Sequence, residues 1–286
     1  MKIIEPKVEL LSELNISPES HIARCARVCY GKKYKEPNQE TDEKMVNGLI
    51  KRGHLSMLRH ASVYISHTDE ILPYLEKHIV NSPYWNYNMA LKYASTNLQE
   101  FMQSKDEREP ATVVDNSKFL EECAKHPKLF ELYRMTFCIT TQIGTSRELN
   151  RCSPNAIAER STRYCSSKDG LEICRPWWFK SSKEDIITGH CPFNELLYYD
   201  MVSKVEGAYK ALLDEGMKPE DARGILPLDT ATKVIYTYSI REWQHILDLR
   251  LYDKTGKAHP NAHVVMQMVK DQINNFAKEH NIDYQV

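Results

Sequence analysis

The sequence predicts an α+β fold with many helices and few strands. Long stretches place apolar residues at helical spacing, whereas a few short segments are rich in Val, Ile, Thr and aromatic residues. The two kinds of segment do not alternate in the regular order of a parallel βαβ protein. The chain has 286 residues, of which 42% are hydrophobic and 27% charged, so it is long enough for one large domain or two small ones.

Strands are expected where β-branched and aromatic residues cluster between polar segments. The segment that leads into the arginine-rich stretch described below has the composition most typical of a buried strand. The predicted strands cover residues 2–12, 61–65, 135–143 and 172–179.

Several predicted helices carry recognisable start and stop signals. Ser17 and Pro18 mark one start, and Gly53 marks one end. In the last helix, an apolar stripe that includes Val265 and Val269 indicates a core or subunit contact rather than a cofactor site. The predicted helices cover residues 21–29, 40–52, 68–105 with an interruption near 81–83, 117–133, 193–215, 219–223, 239–250 and 262–279, and residues 105–117 form the main internal loop.

Charge and cysteine content narrow the class of protein. The formal net charge is -1, so the chain as a whole is not built to bind nucleic acid, and a phosphate site must come from local clustering. The eight cysteines include no C-x-x-C pair, no signal peptide is recognisable, and no apolar run reaches transmembrane length. We therefore expect a cytoplasmic protein with reduced thiols, no metal site and no membrane contact.

The most informative stretch runs from Arg147 to Tyr164, where arginines stand among two glutamates and two serines. Guanidinium groups bind phosphate in bidentate fashion and hydroxyl groups add short hydrogen bonds, so this set suits a nucleotide monophosphate. In an extended backbone, Glu159, Ser161 and Arg163 would point to one side. The alternative is a solvated, charged helix face.

Three further segments combine polar side chains that are able to bind a ligand. His54 and His60 are interpreted as one solvent-facing and one packed histidine rather than as metal ligands. Arg223 is either a side chain fixed at the start of a loop or a surface arginine at a helix end. In residues 239–250, Arg241 and His245 share one helix face, which suits an anionic aromatic ligand or an amphipathic surface helix.

Other chemistries have weaker support in the sequence. There is no Gly-rich phosphate loop, so side chains must hold any dinucleotide. Arg151 stands beside Cys152 and would lower the pKa of the Cys152 thiol, but no cysteine–histidine spacing supports a nucleophilic pair.

With these segments together, the chain resembles the flavin-dependent thymidylate synthases, the ThyX family. The family signature R-H-R-x-x-S-x-N-E-x-S-x-R-Y is kept at Arg151, Glu159, Ser161, Arg163 and Tyr164. Matches continue on both sides in the same order over about residues 20–270. They include Ala26-Arg27-Val28-Cys29-Tyr30-Gly31, His54-x-Ser56-x-x-x-His60, Ala222-Arg223 through Leu226-Pro227, and Arg241 to Arg250.

The resemblance implies a fold with a central, mostly antiparallel sheet flanked by helices. It implies one domain, residues 1–286, with a helical insertion at about 66–134. It also implies reductive methylation of dUMP at C5 to dTMP, with methylenetetrahydrofolate as carbon donor, FAD as cofactor and NADPH as reductant. Family members are homotetramers with active sites shared between subunits, which would explain arginines too scattered for one pocket.

The resemblance also assigns roles to individual residues. Arg250 matches the catalytic arginine that stabilises ionised uracil. The residues matching dUMP contacts are Glu148, Arg151, Glu159, Ser161, Arg163, Arg223 and Arg250. The residues matching FAD contacts are Ser56, Arg151, Cys152, Ser153, Ser239, Arg241 and His245.

The chain departs from the family pattern mainly on the flavin side. The family R-H-R reads Arg151-Cys152-Ser153 here, and Arg59 stands where H-x-S-x-x-E-H has a glutamate. Two alternatives therefore stay open: a divergent relative that makes another C5-modified pyrimidine nucleotide, and a non-catalytic nucleotide-binding paralogue.

Overall fold

The computed structural model describes residues 1–31, 36–68, 82–104, 112–163 and 170–286, and within them it confirms the α+β class. Strands and helices are mixed along the chain, and two of the three sheets are antiparallel. The strands are Lys2–Ile4 (β1), Lys7–Leu10 (β2), Ser62–Ser66 (β3), Asn86–Asn88 (β4), Tyr93–Asn97 (β5), Thr112–Val114 (β6), Arg134–Gln142 (β7), Ala156–Glu159 (β8), Glu172–Cys174 (β9) and Ala231–Ser239 (β10).

The central sheet has the strand order β2-β7-β10-β8 and is antiparallel throughout. Its two inner strands pair over nine residues, with Ile139 opposite Val234. Every residue of β7 is buried, because helices or loops cover both of its faces. A second antiparallel sheet has the order β4-β5-β3-β6, and β1 pairs in parallel with β9. The central sheet carries the residues of interest at the β8 edge.

Helices surround these sheets, and their ends follow the signals in the sequence. The Ser17 side chain caps the first helix, and Gly53, with a φ of 72°, follows the second. The helices are Pro18–Cys29 (α1), Gln39–Lys51 (α2), Leu98–Gln103 (α3), Asn116–Lys125 (α4), Ile143–Leu149 (α5), Lys183–Thr188 (α6), Phe193–Asp214 (α7), Pro219–Ala222 (α8), Ile240–Arg250 (α9) and Pro260–Glu279 (α10), with 3-10 turns at Leu55–His60, Pro127–Leu132 and Arg223–Ile225. Among the described helices, none combines the length and apolar composition needed to cross a bilayer.

The prediction of a mostly helical segment over 68–105 is wrong where the structure describes it. Residues 86–97 form the hairpin β4–β5, which pairs with β3, and α3 is short. The predicted helical insertion at about 66–134 therefore contains three strands as well as helices, and its boundaries stay a prediction. The part of this segment at 69–81 lies outside the described residues.

Prolines divide two other predicted elements. Pro6 separates β1 from β2 in the segment predicted as one strand, and Pro127 ends α4 before a 3-10 turn begins. The central strand β10 and the helix α5 were not predicted, although both are essential to the site described below.

A chain of buried polar side chains crosses the interior between α1 and the central sheet. The Nε2 atom of His21 lies 3.1 Å from the Thr136 hydroxyl, which lies 2.8 Å from the Thr237 hydroxyl. The same Thr237 hydroxyl lies 2.9 Å from Nδ1 of His60. Burial lowers the pKa of His60 to about 3 and lowers the pKa of His21 well below its usual value, and Arg134 and Arg24 add to these shifts.

These histidines should make stability depend on pH. They stay neutral in the folded chain but bind protons below about pH 6.5 when the chain is unfolded. Their contribution to the free energy of unfolding is therefore complete above pH 6.5 and is lost as the pH falls towards 3. Burial raises the pKa of nearby Glu13, which acts in the opposite direction. We expect a net loss of about 1.4 kcal/mol per pH unit in the free energy of unfolding between pH 6.5 and 5, measured by urea titration. His60→Asn should flatten this dependence and the exposed His190→Gln should not; equal stability at pH 7 and pH 5 in the unaltered chain would contradict the prediction.

Candidate active site

A cleft of about 630 Å³ opens beside the β8 edge of the central sheet. Its walls come from the start of α5, the residues after β8, and the loop that follows α8. The loop is held against α5, because the amide of Ile143 donates to the Thr230 carbonyl and the amide of Gly144 donates to the Leu228 carbonyl. A Cβ on Gly144 would lie 3.4 Å from the Leu228 Cβ, at van der Waals contact, so the loop and α5 are closely packed here.

The cleft contains the residues on which the nucleotide prediction mainly rests. Glu159, Ser161 and Arg223 line it, although 62 residues or more separate Arg223 from the other two along the chain. Two further guanidinium groups, those of Arg147 and Arg160, line the same space and were not assigned a role from the sequence. The sequence did carry a signal for them, because both lie in the same arginine-rich stretch.

Glu159 is oriented by the protein before any ligand binds. Its two carboxylate oxygens accept hydrogen bonds from the Ser146 hydroxyl at 2.7 Å and from the Asn150 side-chain amide at 3.3 Å. The Tyr236 hydroxyl in turn donates to the Asn150 amide oxygen at 2.7 Å. This carboxylate is therefore a fixed acceptor that faces the cleft.

The cations around the cleft differ in how far their charge is neutralised. Arg223 donates to the Thr162 hydroxyl at 2.8 Å and to the Glu220 carbonyl at 3.1 Å, which fixes its guanidinium without a carboxylate. Arg160 lies 3.8 Å from the Glu172 carboxylate, a loose ion pair. Arg163 pairs with the Glu220 carboxylate at 3.3 Å and lies outside the lining of the cleft. The cleft thus holds an excess of positive charge suited to a phosphate group.

The alternating pattern in the sequence predicted only part of this arrangement. Glu159 and Ser161 do line one space, but the Arg163 side chain turns away from it to Glu220. The Tyr164 of the signature lies outside the described residues. The buried hydroxyl of Thr232 also lines the cleft and has no partner among the described residues, so it is a further group able to bind a ligand.

A second cluster lies at the other end of α5. Arg250 pairs with the Glu148 carboxylate at 3.4 Å and donates to the Glu148 carbonyl at 3.3 Å. The amide of His259 also donates to this carboxylate, at 3.4 Å. Burial raises the pKa of the Cys152 thiol, and the neighbouring Arg250 opposes this shift only in part. Arg151 lowers this pKa as expected, but burial outweighs its effect and the net shift is upward. Neither Glu148 nor Arg250 lines the cleft, and Arg151 lies on an exposed turn.

Glu242, in the first turn of α9, is the centre of a third group. One of its oxygens accepts from the Ser153 hydroxyl and the Asn155 amide, both at 2.9 Å. The other accepts from the Ser239 amide at 2.9 Å and the Ser239 hydroxyl at 3.0 Å, which completes a capping box. The buried Arg134 lies 3.9 Å from the same carboxylate. The hydroxyl groups of Ser153 and Ser239, predicted to contact FAD, are thus bonded within the protein.

Most of the segments that carry the residues predicted to contact FAD adjoin one another, and we call the surface that they form the α9 face. It is formed by α9, the turn at residues 151–154, the 3-10 turn at 55–60 and strand β4, joined by the Ser153–Glu242 bond. The Arg241 guanidinium pairs with the Glu131 carboxylate at 3.2 Å and reaches the Tyr87 carbonyl at 3.5 Å. The Arg59 guanidinium reaches the Pro154 carbonyl at 3.4 Å.

The donors exposed on the α9 face include two arginines, of which Arg241 is already paired with Glu131. The exposed members of the predicted set are Ser56, Arg151, Arg241 and His245. This donor set fits an anionic dinucleotide such as FAD, whose diphosphate needs positive charge. The fit comes from cationic side chains, since Ser153 and Ser239 have no free hydroxyl to offer.

Comparison with known proteins shows the family of the chain. The family model of the thymidylate synthase complementing proteins matches residues 83–277, which is more than half of the chain. A flavin-dependent thymidylate synthase from Synechocystis is 28% identical over 149 residues, covering 50% of this chain and 69% of the relative. The flavin-dependent thymidylate synthase from Geobacter sulfurreducens is 27% identical, covering 57% of this chain and 66% of the relative. The one from Thermus thermophilus is also 27% identical, covering 59% of this chain and 63% of the relative.

A solved structure was also found to be similar. It is the UMP/dUMP methylase PolB from Streptomyces cacaoi bound with 5-Br dUMP, which is 15% identical, covers 97% of this chain and 93% of its own, and gives a TM-score of 0.45. The family match itself is decisive. The chain belongs to the family of thymidylate synthase complementing proteins, and is a divergent member of the flavin-dependent thymidylate synthase (ThyX) enzymes.

Proposed function

We propose that this chain is a flavin-dependent thymidylate synthase that methylates dUMP at C5 to give dTMP. Methylenetetrahydrofolate would donate the carbon, and NADPH would reduce the bound FAD. The observation that carries the proposal is the cleft in which Glu159, Ser161 and Arg223 converge with two further arginines. Side chains, not a glycine loop, would hold the nucleotide there.

Each group in the cleft has a task that its chemistry suits. The guanidinium groups of Arg147, Arg160 and Arg223 would bind the phosphate, and the Ser161 hydroxyl would add a short hydrogen bond. Glu159, held by its own hydrogen bonds, would accept a hydrogen bond from the sugar or the base.

The second cluster requires a neighbouring subunit. Arg250 and Glu148 lie outside the cleft lining, so Arg250 would act on the uracil bound in another copy of the chain. A fixed guanidinium beside the pyrimidine carbonyls stabilises the negative charge that develops as C5 becomes nucleophilic. This arrangement favours a homotetramer with shared sites. When bound, the flavin supplies the reducing equivalents that turn the transferred methylene into a methyl group.

The proposal is tested by cofactor content and turnover. Protein purified with added FAD should be yellow, and it should convert dUMP to dTMP when methylenetetrahydrofolate and NADPH are supplied. Protein that neither binds FAD nor converts dUMP would overturn the proposal. The cytoplasmic location stays a prediction.

Arg223 gives a direct test of the nucleotide cleft. Arg223→Ala should raise the Kd for dUMP by about 10- to 100-fold, because a charge-assisted hydrogen bond contributes about 1.5–3 kcal/mol. Isothermal titration calorimetry measures this Kd. The exposed Arg52, at the end of α2, provides a matched arginine-to-alanine control that should leave the Kd unchanged. Equal dUMP affinity in the Arg223→Ala and unaltered proteins would exclude the cleft as the phosphate site.

Two observations keep alternatives in view. Cys152 and Ser153 stand where the family has a histidine and an arginine, and the Ser153 hydroxyl is bonded within the protein. This favours a non-catalytic nucleotide-binding paralogue, which would bind dUMP without FAD. A divergent C5-modifying enzyme would instead bind FAD and act on another pyrimidine nucleotide, so UMP and dUMP should be compared as substrates in the same assay.

A further inference from the structure

Arg59, in the 3-10 turn at 55–60, is held in one orientation by three neighbours. Its guanidinium carbon lies 4.6 Å above the centre of the Tyr84 ring. Its Nε donates to the Gln99 side-chain oxygen at 2.8 Å, and its Nη1 donates to the Pro154 carbonyl at 3.4 Å. An arginine that is stacked and hydrogen-bonded in this way has lost most of its conformational freedom before a ligand arrives.

The charge of Arg59 is not neutralised by the protein that surrounds it. Its partners are an aromatic ring, an amide oxygen and a carbonyl oxygen, and no ion pair joins it to a carboxylate in the described ranges of the chain. The side chain is only partly buried, so the guanidinium remains open to an anion. The exposed Arg151 lies on the same turn as Pro154, on the α9 face defined above.

Arg59 and Ser153 both stand at positions where the sequence departs from the family motifs. Arg59 stands where the related motif has a glutamate, and Ser153 stands where it has an arginine. In the structure the Arg59 guanidinium contacts the residue that immediately follows Ser153. The positive charge missing at Ser153 is therefore restored in the same place from a different segment.

We propose that Arg59 binds the diphosphate of the flavin dinucleotide and substitutes for the guanidinium absent at Ser153. Tyr84 and Gln99, which come from the segment predicted as an insertion, position it. This inference rests on the proposed function, since it assigns a cofactor contact to the α9 face. A guanidinium fork matches the spacing of two phosphate oxygens. The Gln99 and Pro154 atoms that face Arg59 are neutral acceptor oxygens, so they orient the guanidinium without cancelling its charge.

The experiment compares two flavins that differ in the diphosphate. FAD carries the diphosphate together with adenosine, whereas riboflavin has neither, and binding of both is followed by the change in flavin fluorescence. Arg59→Gln should raise the Kd for FAD by about 10- to 100-fold and leave the Kd for riboflavin within twofold. Arg59→Lys should recover part of the FAD affinity because it keeps the charge, and Arg52→Gln should change neither Kd.

Other outcomes would overturn the proposal. Equal weakening of FAD and riboflavin would mean that Arg59 only supports the shape of the face, and an unchanged FAD Kd in Arg59→Gln would mean that it makes no contact. The carboxylates of the folate tail are a second source of negative charge. Weaker binding of tetrahydrofolate to FAD-loaded Arg59→Gln, with FAD affinity unchanged, would assign the arginine to folate instead. Failure of the unaltered chain to bind FAD would overturn this inference and the proposed function together, whereas the other outcomes leave the proposed function in place.

Discussion

Replacing Arg250 by alanine is expected to lower kcat/KM for dUMP methylation by about 100- to 1,000-fold while the fold stays intact. The guanidinium would stabilise developing charge on the uracil, and removal of one such fixed donor costs about 2.7–4 kcal/mol of transition-state stabilisation. The fold should survive because Arg250 is at the surface end of α9, with 19% of its side chain exposed, and its ion-pair partner Glu148 is 25% exposed. Release of labelled C5 hydrogen from dUMP measures turnover, and thermal unfolding measures the fold.

The control is Lys254→Ala, just beyond the same end of α9. Lys254 pairs with the Asp248 carboxylate at 2.9 Å but is 62% exposed, so turnover should stay within about twofold. If Arg250→Ala keeps turnover within threefold of the unaltered enzyme, Arg250 has no catalytic role. Mixing Arg250→Ala with Arg223→Ala chains adds a test of shared sites, since mixed tetramers should regain part of the activity.

Replacing Glu242 by alanine is expected to lower the free energy of unfolding by about 3–5 kcal/mol. Its carboxylate accepts four hydrogen bonds, from Ser153, Asn155 and twice from Ser239, and it lies near the buried Arg134 guanidinium. Removing it leaves that guanidinium uncompensated and the cap of α9 incomplete. Urea titration followed by circular dichroism gives the free energy.

Glu220→Ala is the matched control for this effect. Glu220 also pairs with an arginine, Arg163, but the pair is exposed, and its loss should cost about 0–1 kcal/mol. A loss below 1 kcal/mol in Glu242→Ala would show that the group around Glu242 contributes no more than a surface pair. Glu242→Gln, which keeps the shape and the acceptor oxygen, should lie between the two.

The sequence was sufficient to locate the cleft because the relevant side chains were concentrated in one stretch. Glu159, Ser161 and Arg223 line one cleft, and Arg223 is fixed at the start of a loop, while their contact with a nucleotide stays a prediction. Long amphipathic helices such as α7, α9 and α10 were predicted to within a few residues, since their apolar spacing is sustained over several turns.

What the sequence could not predict depended on partners distant along the chain. Residues 86–97 have no helical period of their own, and their strand conformation is fixed by pairing with β3. The sequence also could not predict the direction in which a single side chain points. Arg163 continues the alternation of Glu159 and Ser161 but pairs with Glu220 instead, and the Ser153 hydroxyl is bonded to Glu242 instead of facing outward.

The pairing of the first two strands constrains how this protein is made. Among the described strands, β2 pairs with β7 and β1 pairs with β9, so each must wait for a partner synthesised more than a hundred residues later. On a translating ribosome, β2 has no partner strand until β7, which ends at residue 142 of 286, has left the exit tunnel. Such long-range closure slows folding and leaves apolar strands uncovered in the meantime. Nascent chains arrested before residue 134 should therefore be protease-sensitive and bound by chaperones, whereas chains arrested after α10 should resist proteolysis.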